Sequence, residues 1–298
     1  MKFEMKKSHI AMIGALALCG ATAAHADVMI SDLGGTTFAN IDDAGYFSTP
    51  GPVGMSFMGR EYVNLGTWSS NYWLNANGAA VATADEVVGS NPLTVTAFGP
   101  LGGGTVEVST NLGVGLPWGF VETVSVPSPG HVAVTVQLTN NTGADAASVQ
   151  WGVGFDPDQG VPVSLGFGTT NDILALGGDS AVKATSLDGW SVTLHNTTSA
   201  SAFAIQPFID VPAPIGLFGT CCSPIDPAIM FAKAQGVGGY GFGDYSINLA
   251  YDLGTVLAGH SVTIGYEYIM AVPEPETYAM LLAGLGLIGF SARRRISA

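Results

Sequence analysis

The chain has 298 residues, of which 47% are hydrophobic and only 11% are charged, and its formal net charge is −14. Between Asp27 and Val272 the basic residues are Arg60, Lys183 and Lys233 alone. Nucleic acids and anionic lipid surfaces are bound through several clustered cationic side chains, so the composition argues against both partners. The high apolar content likewise argues against a disordered chain.

The N-terminal segment 1–26 has the parts of a secretory signal peptide. A lysine-containing start precedes an apolar run over residues 10–24, and Ala24 and Ala26 form the small-residue cleavage site. Cleavage by signal peptidase would leave Asp27 as the first mature residue. Because a membrane-spanning helix needs about 18–20 apolar residues, the shorter run favours a cleaved signal, and we expect the protein to be exported.

The C-terminal segment 272–298 combines a proline-containing strip, a short apolar stretch and a basic end. The strip consists of Val272, Pro273, Glu274 and Pro275. The apolar stretch 278–292 predicts a short transmembrane helix, of about 22 Å at 1.5 Å per residue, in a hydrocarbon core of about 30 Å. By the positive-inside rule the basic end would stay cytoplasmic; it consists of Arg293, Arg294 and Arg295.

These three features in this order resemble the PEP-CTERM sorting signal. The resemblance implies a Gram-negative host and transient anchoring in the inner membrane. It also implies recognition by an exosortase, a membrane protease that cleaves near Pro273-Glu274-Pro275 and removes the helix. The mature protein would then be secreted or held at the cell surface. The alternative is a plain C-terminal membrane anchor in which Pro-Glu-Pro occurs by chance.

Short runs of alternating apolar and polar residues dominate the body of the chain. They are rich in valine, threonine and aromatic residues and are bounded by turn residues, which is typical of half-buried antiparallel strands. The clearest runs are 132–138, 149–155, 190–194, 247–251 and 262–270. Many short strands without a long helical period predict an all-β fold, an antiparallel β-sandwich. We expect it to span residues 27–271.

The segment 127–130, Pro-Ser-Pro-Gly, is the one candidate boundary within this ectodomain. It would either separate two halves or form a turn inside one large sandwich. With no charge run beside it, the sequence favours the turn. The stretch from His131 to Met270 also resembles, more weakly, the sandwich ectodomains of several PEP-CTERM proteins, a resemblance that implies no activity.

Two local motifs bear on metal binding and on redox state. Asp156 and Asp158 stand in a D-x-D-x-G turn after a predicted strand, which supplies part of a Ca²⁺ ligand set; the alternative is a solvated turn. Cys221 and Cys222 are the cysteines of the mature chain. Neighbouring Cα atoms are about 3.8 Å apart, below the usual disulfide spacing. A strained vicinal disulfide therefore competes with free or intermolecular thiols. Neither motif establishes a metal site or a cofactor.

Aromatic and amide side chains are close in sequence between residues 62 and 77. Trp68, Tyr72 and Trp73 flank serine and asparagine residues, and aromatic faces beside hydrogen-bonding groups suit sugar rings. These three residues are therefore candidates for glycan contact, while the alternative is that they fill the core.

No sequence motif for catalysis is evident. The chain has no G-x-S-x-G elbow, and its histidines do not show the spacing of a metal site. We predict a non-enzymatic surface or matrix protein, exported and sorted by exosortase, that associates with extracellular polysaccharide. One alternative is a polysaccharide-modifying hydrolase using carboxylates, for which Glu61, Glu107 and Glu122 are candidates. Another is a purely structural protein without a ligand.

Overall fold

A computed structural model describes residues 27–47, 54–63, 70–85, 93–112, 117–199, 202–212 and 224–273. The described chain is built almost entirely from antiparallel β-strands, which confirms the predicted all-β, sandwich-like fold class. The predicted signal peptide 1–26 and the predicted helix 278–292 lie outside these ranges.

The strands are numbered in chain order. The first nine are β1 (Asp27–Ser31), β2 (Thr37–Asp42), β3 (Met55–Phe57), β4 (Arg60–Glu61), β5 (Ser70–Ala76), β6 (Ala79–Asp85), β7 (Leu93–Gly102), β8 (Thr105–Leu112) and β9 (Trp118–Ser128). The other nine are β10 (His131–Asn140), β11 (Ala146–Phe155), β12 (Thr169–Ala175), β13 (Ala181–Thr185), β14 (Ser191–Asn196), β15 (Ala204–Ile209), β16 (Gly238–Gly243), β17 (Ile247–Val256) and β18 (Ser261–Ala271). One α-helix, α1 (Pro227–Ala232), and two 3₁₀ turns, Val161–Val163 and Gly177–Asp179, complete the described elements.

The strands form three sheets. A nine-stranded sheet has the order β16-β12-β13-β14-β18-β10-β9-β8-β7, and a five-stranded sheet has the order β15-β17-β11-β5-β6. A small four-stranded sheet contains β1 to β4. The inward residues of the three sheets join in one hydrophobic core that runs from Ile30 to Met270.

Alternation along the strands explains why they form and which way they face. In β10, Val132, Val134, Val136 and Leu138 are buried, whereas Thr135 and Gln137 between them are exposed. Successive strand residues point to opposite faces, so one apolar row enters the core and the other row stays in solvent. The predicted runs 149–155, 247–251 and 262–270 likewise lie in β11, β17 and β18.

The segment 127–130 contains the last two residues of β9 and the hairpin turn that joins β9 to β10, its neighbour in the nine-stranded sheet. Gly130 has a φ of 77°, and a Cβ added there would lie 2.6 Å from the carbonyl oxygen of Met270. Only glycine fits such a position without strain. The turn and its close approach to β18 thus depend on this residue.

Helix α1 covers part of the outer face of the five-stranded sheet. Asp226 caps its start by accepting a hydrogen bond from the backbone N–H of Ala228, and Met230 lies against Gly152 of β11. The sheet is therefore buried on both faces in this region. Across the ranges described here, no helix combines the length and the apolar character needed to cross a membrane.

Candidate functional site

Three aspartates meet at one end of the sandwich. Asp156 directly follows β11, Asp158 comes two residues later, and Asp244 lies in the short connection between β16 and β17. Strands β11 and β17 pair with Phe155 opposite Ile247, so the residues just after β11 lie beside those just before β17. One carboxylate oxygen from each aspartate lies within 4.8 Å of the other two.

The cluster is half inside the protein and half at its surface. Asp156 and Asp158 are buried, whereas Asp244 is exposed. Burial raises the pKa of Asp156 and of Asp158, and the neighbouring carboxylates raise it further. Burial also raises the pKa of Asp244. Carboxylates this close repel one another unless a proton or a cation lies between them.

Arg60 anchors the connection after β11, which carries Asp156 and Asp158. Its guanidinium donates to the carbonyl oxygen of Gln159 at 2.8 Å and to the carboxylate of Asp188 at 2.7 Å. It also lies 4.6 Å from the ring centroid of Trp190. The backbone N–H of Asp158 donates to the carbonyl oxygen of Tyr62. These contacts hold the loop in place, while the charge of Arg60 is already paired with Asp188.

The sequence offers Asp156 and Asp158 as Ca²⁺ ligands, and the structure adds Asp244 as a third carboxylate. Asp244 is 86 positions further along the chain, as the sequence numbering shows. The clue missing from the sequence was the pairing of β11 with β17. In the sequence, Asp244-Tyr245-Ser246 stand before an alternating run, which predicts a turn at Asp244 but not its contact with Asp156 and Asp158.

The three candidate glycan-contact residues, Trp68, Tyr72 and Trp73, do not form one described surface. The prediction that Tyr72 contacts a glycan is corrected, because its side chain is buried in the core. Its ring stacks on Trp151 and Phe120, with centroids 5.0 and 5.3 Å away. Trp73 points to the other face of β5, where it is half-buried and its indole N–H donates to Asn75. Trp68 lies outside the described residues.

Other predicted sites fall partly or wholly outside the described ranges. Cys221 and Cys222, the signal cleavage residues Ala24 and Ala26, and the basic end are among those not described. Asp27 is the first residue of β1. Val272 and Pro273 follow β18 directly, so the sorting strip begins where the last strand ends.

The three glutamates that are candidates for hydrolysis have different surroundings. Glu107 and Glu122 lie on neighbouring strands but on opposite faces, because Glu107 pairs with Thr123 and Glu122 with Val108. Oε1 of Glu61 accepts hydrogen bonds from three backbone N–H groups of the small sheet and the loops beside it. This contact gives Glu61 a structural role.

Glu122 is an ionisable group inside the hydrophobic core. It shares the inward row of β9 with Phe120 and Val124, and only 3% of its surface is exposed. Burial raises the pKa of Glu122 well above its ordinary value, and the charge of Asp42 raises it further. A charge on Glu122 raises the pKa of three neighbouring tyrosines, Tyr72, Tyr266 and Tyr268. Glu122 therefore holds its proton more tightly in the folded protein than an exposed glutamate does.

Replacing Glu122 with glutamine is expected to flatten the pH dependence of stability. The folded state holds the Glu122 proton more tightly than the unfolded chain does, so the wild type loses stability as pH rises above about 4.5. Glutamine has no such proton, so the stability of the variant relative to that of the wild type should increase as the pH rises above the ordinary glutamate pKa. Thermal melts across this range measure the difference.

Glu107→Gln is the matched control, because it is the same substitution on the outward face of the adjacent strand. Its melting temperature should follow that of the wild type over the whole pH range. Equal pH profiles for Glu122→Gln and the wild type would contradict a protonated Glu122 in the core.

Comparison with known proteins gives one local match and several distant structural ones. Residues 271–295 match the PEP-CTERM protein-sorting motif. No curated protein matches the chain. Among solved structures, a heparinase III (BT4657 gene product) is 10% identical with a TM-score of 0.36, covering 67% of this chain and 24% of its own.

Two further solved structures give similar values. Heparan sulfate lyase HepC from Pedobacter heparinus is 8% identical with a TM-score of 0.37, covering 79% of this chain and 30% of that one. A GalM/aldose epimerase homologue from C. elegans is 9% identical with a TM-score of 0.38, covering 84% and 93%. The chain thus spans less than a third of the heparinase and HepC chains, and none of these values assigns an activity.

The sequence match falls on the segment that carries Pro-Glu-Pro, the apolar stretch and the basic end, and it agrees with the predicted boundaries to within a few residues. This confirms the sorting signal, which implies export and processing by exosortase. The chain therefore carries a PEP-CTERM sorting motif at residues 271–295, a signal that indicates export and sorting to the cell surface or the extracellular space.

Proposed function

We propose that this protein acts without catalysis as a surface or matrix component that associates with extracellular polysaccharide. The observation that carries the proposal is the outward face of β10 and β18 in the middle of the nine-stranded sheet. This face is defined by Thr135, Gln137, Ser261 and Thr263, which are all exposed. The hydroxyls of Thr139 and Ser261 are 2.8 Å apart across the two strands.

The chemistry of this hydroxyl-rich face suits sugar chains. Hydroxyl and amide groups both donate and accept hydrogen bonds, as sugar hydroxyls do. Their side chains stand in parallel rows because the strands are in register, with Gln137 opposite Thr263 and Thr135 opposite Gly265. A flat polar row of this kind can lie along an extended polysaccharide over several residues. Trp73, half-buried on the other sheet, offers a second contact.

Binding of the secreted protein to polysaccharide from the producing bacterium tests the proposal. We expect measurable binding, weakened about tenfold by the double substitution Thr135→Ala and Gln137→Ala, since each lost hydrogen bond is worth about 0.5–1.5 kcal/mol. Thr170→Ala is the control, because Thr170 is exposed on β12, four strands away in the same sheet.

Two results would overturn the proposal. Failure of the wild-type protein to bind the polysaccharide would favour a structural protein without a ligand. Shortening of the polysaccharide chains during incubation with the protein would favour a hydrolase, and chain length is therefore followed in the same samples.

A further inference from the structure

From the geometry of Asp156, Asp158 and Asp244 we infer a Ca²⁺ site that ties together the two connections at this end of the sandwich. The inference does not rest on polysaccharide binding. Its first support is distance, because the three carboxylate oxygens lie within 4.8 Å of one another. Oxygen ligands of Ca²⁺ lie about 2.3–2.6 Å from the ion. Two oxygens on opposite sides of one ion are therefore about twice that distance apart, which is close to the spacing within the cluster.

The second support is the state of the Asp158 side chain. Asp158 is 1% exposed, and within the described part of the chain neither of its carboxylate oxygens has a hydrogen-bond partner. A buried carboxylate without partners is costly, and proteins normally pair such groups or place a metal against them. The side chain points into the cluster with Asp156 and Asp244. A cation there would supply the missing partner for both oxygens.

The charges around the cluster point the same way. Among the described residues, the charged groups that raise the pKa of Asp156 and of Asp158 are carboxylates of the same cluster. Arg60, the cation that anchors this loop, already binds Asp188 and the carbonyl of Gln159. A bound divalent ion would balance negative charge that the described side chains leave concentrated here.

The ligand chemistry selects Ca²⁺ among the common metals. All three groups are carboxylates, and hard oxygen donors favour Ca²⁺ or Mg²⁺ over Zn²⁺, which prefers nitrogen and sulfur. Ca²⁺ takes six to eight ligands in flexible geometry. Because Asp244 is exposed, water can fill the positions that the protein leaves open.

The position of the site indicates what the ion would do. Asp156 and Asp158 belong to the connection after β11, the central strand of the five-stranded sheet, whereas Asp244 follows β16, the edge strand of the nine-stranded sheet. An ion held by all three would link the two sheets. Calcium sites of extracellular modules have dissociation constants of about 10⁻⁴–10⁻³ M, a range suited to a protein that acts outside the cell.

The experiment is a titration of the secreted protein with CaCl₂ after metal removal with EGTA, followed by calorimetry and thermal melting. We expect one Ca²⁺ per chain and a rise in melting temperature of a few degrees. Asp244→Asn removes the exposed ligand with little risk to folding and should weaken binding at least tenfold. Asp158→Asn should do the same. Asp179→Asn, at an exposed aspartate in a 3₁₀ turn, is the control and should behave as the wild type.

The inference is overturned if the wild-type protein shows neither binding heat nor a melting shift at about 10 mM Ca²⁺, well above the expected dissociation constant. It is also overturned if Asp244→Asn binds Ca²⁺ as tightly as the wild type does. A folding failure of Asp158→Asn leaves the decision with Asp244→Asn. Loss of polysaccharide binding alone would leave the Ca²⁺ result unchanged.

Discussion

Replacing Glu274 with alanine is expected to keep the C-terminal apolar stretch 278–292 on the protein and to hold the chain in the inner membrane. Glu274 is the central residue of Pro273-Glu274-Pro275 within the matched motif. Strand β18 ends at Ala271 and Pro273 follows two residues later. Prolines disfavour regular structure and keep the chain extended, and an extended strip between a folded domain and a membrane is open to a protease.

Intact mass and terminal peptides of the protein from membrane and medium measure the outcome. The wild type should begin at Asp27 and end near residues 272–275, whereas the Glu274→Ala chain should retain residues 278–295. Glu276→Ala removes the same side chain two positions later and serves as the matched control, which should be processed normally. Recovery of the wild type with the tail intact would contradict exosortase processing and indicate a plain membrane anchor.

The strands could be predicted from the sequence because burial on one face leaves a period of two. The run Val132, Val134, Val136 and Leu138 is the clearest case, since the residues between them are half-buried or exposed. The five-stranded sheet is harder to predict. In β5 Tyr72 and its neighbours on both faces are almost all buried, because the core covers one face and α1 lies on the other, so alternation no longer separates core from surface.

The same reasoning explains what could be predicted of the site. Asp156 and Asp158 are two residues apart, and a local motif finds them. Asp244 joins them only through strand pairing far along the chain, which one sequence does not reveal. Glu122 could have been found, because it has the same parity as Trp118, Phe120 and Val124 in one alternating run. A glutamate on an inward row predicts a buried carboxyl.

Replacing Trp151 with alanine is expected to give the largest loss of stability in the ectodomain. Trp151 is fully buried on β11, and its ring stacks on Tyr72 and Phe120 with centroids 5.0 and 5.7 Å away. Truncating a buried tryptophan to alanine costs about 3–5 kcal/mol. For a domain of this size we expect the melting temperature to fall by roughly 6–20 °C.

Two further variants separate packing from other effects. The indole N–H of Trp151 has no hydrogen-bond partner among the described residues, so Trp151→Phe loses ring area but no hydrogen bond. It should therefore retain most of the stability. Trp73 is half-buried and lies on the face of β5 that points away from the stacked rings. Trp73→Ala should therefore lower the free energy of unfolding by less than half as much as Trp151→Ala does. Equal losses at the two positions would contradict the central role of the stacked rings.

Trp151→Ala also tests whether the ectodomain unfolds as one unit. Trp151 follows the 127–130 turn in sequence, whereas its stacking partners Tyr72 and Phe120 precede it. If the stack couples both parts, one calorimetric transition should move as a whole to lower temperature. Two transitions of which the variant shifts a single one would mean that the chain divides near 127–130. Because the same rings join β5, β9 and β11, we expect a single transition in both proteins.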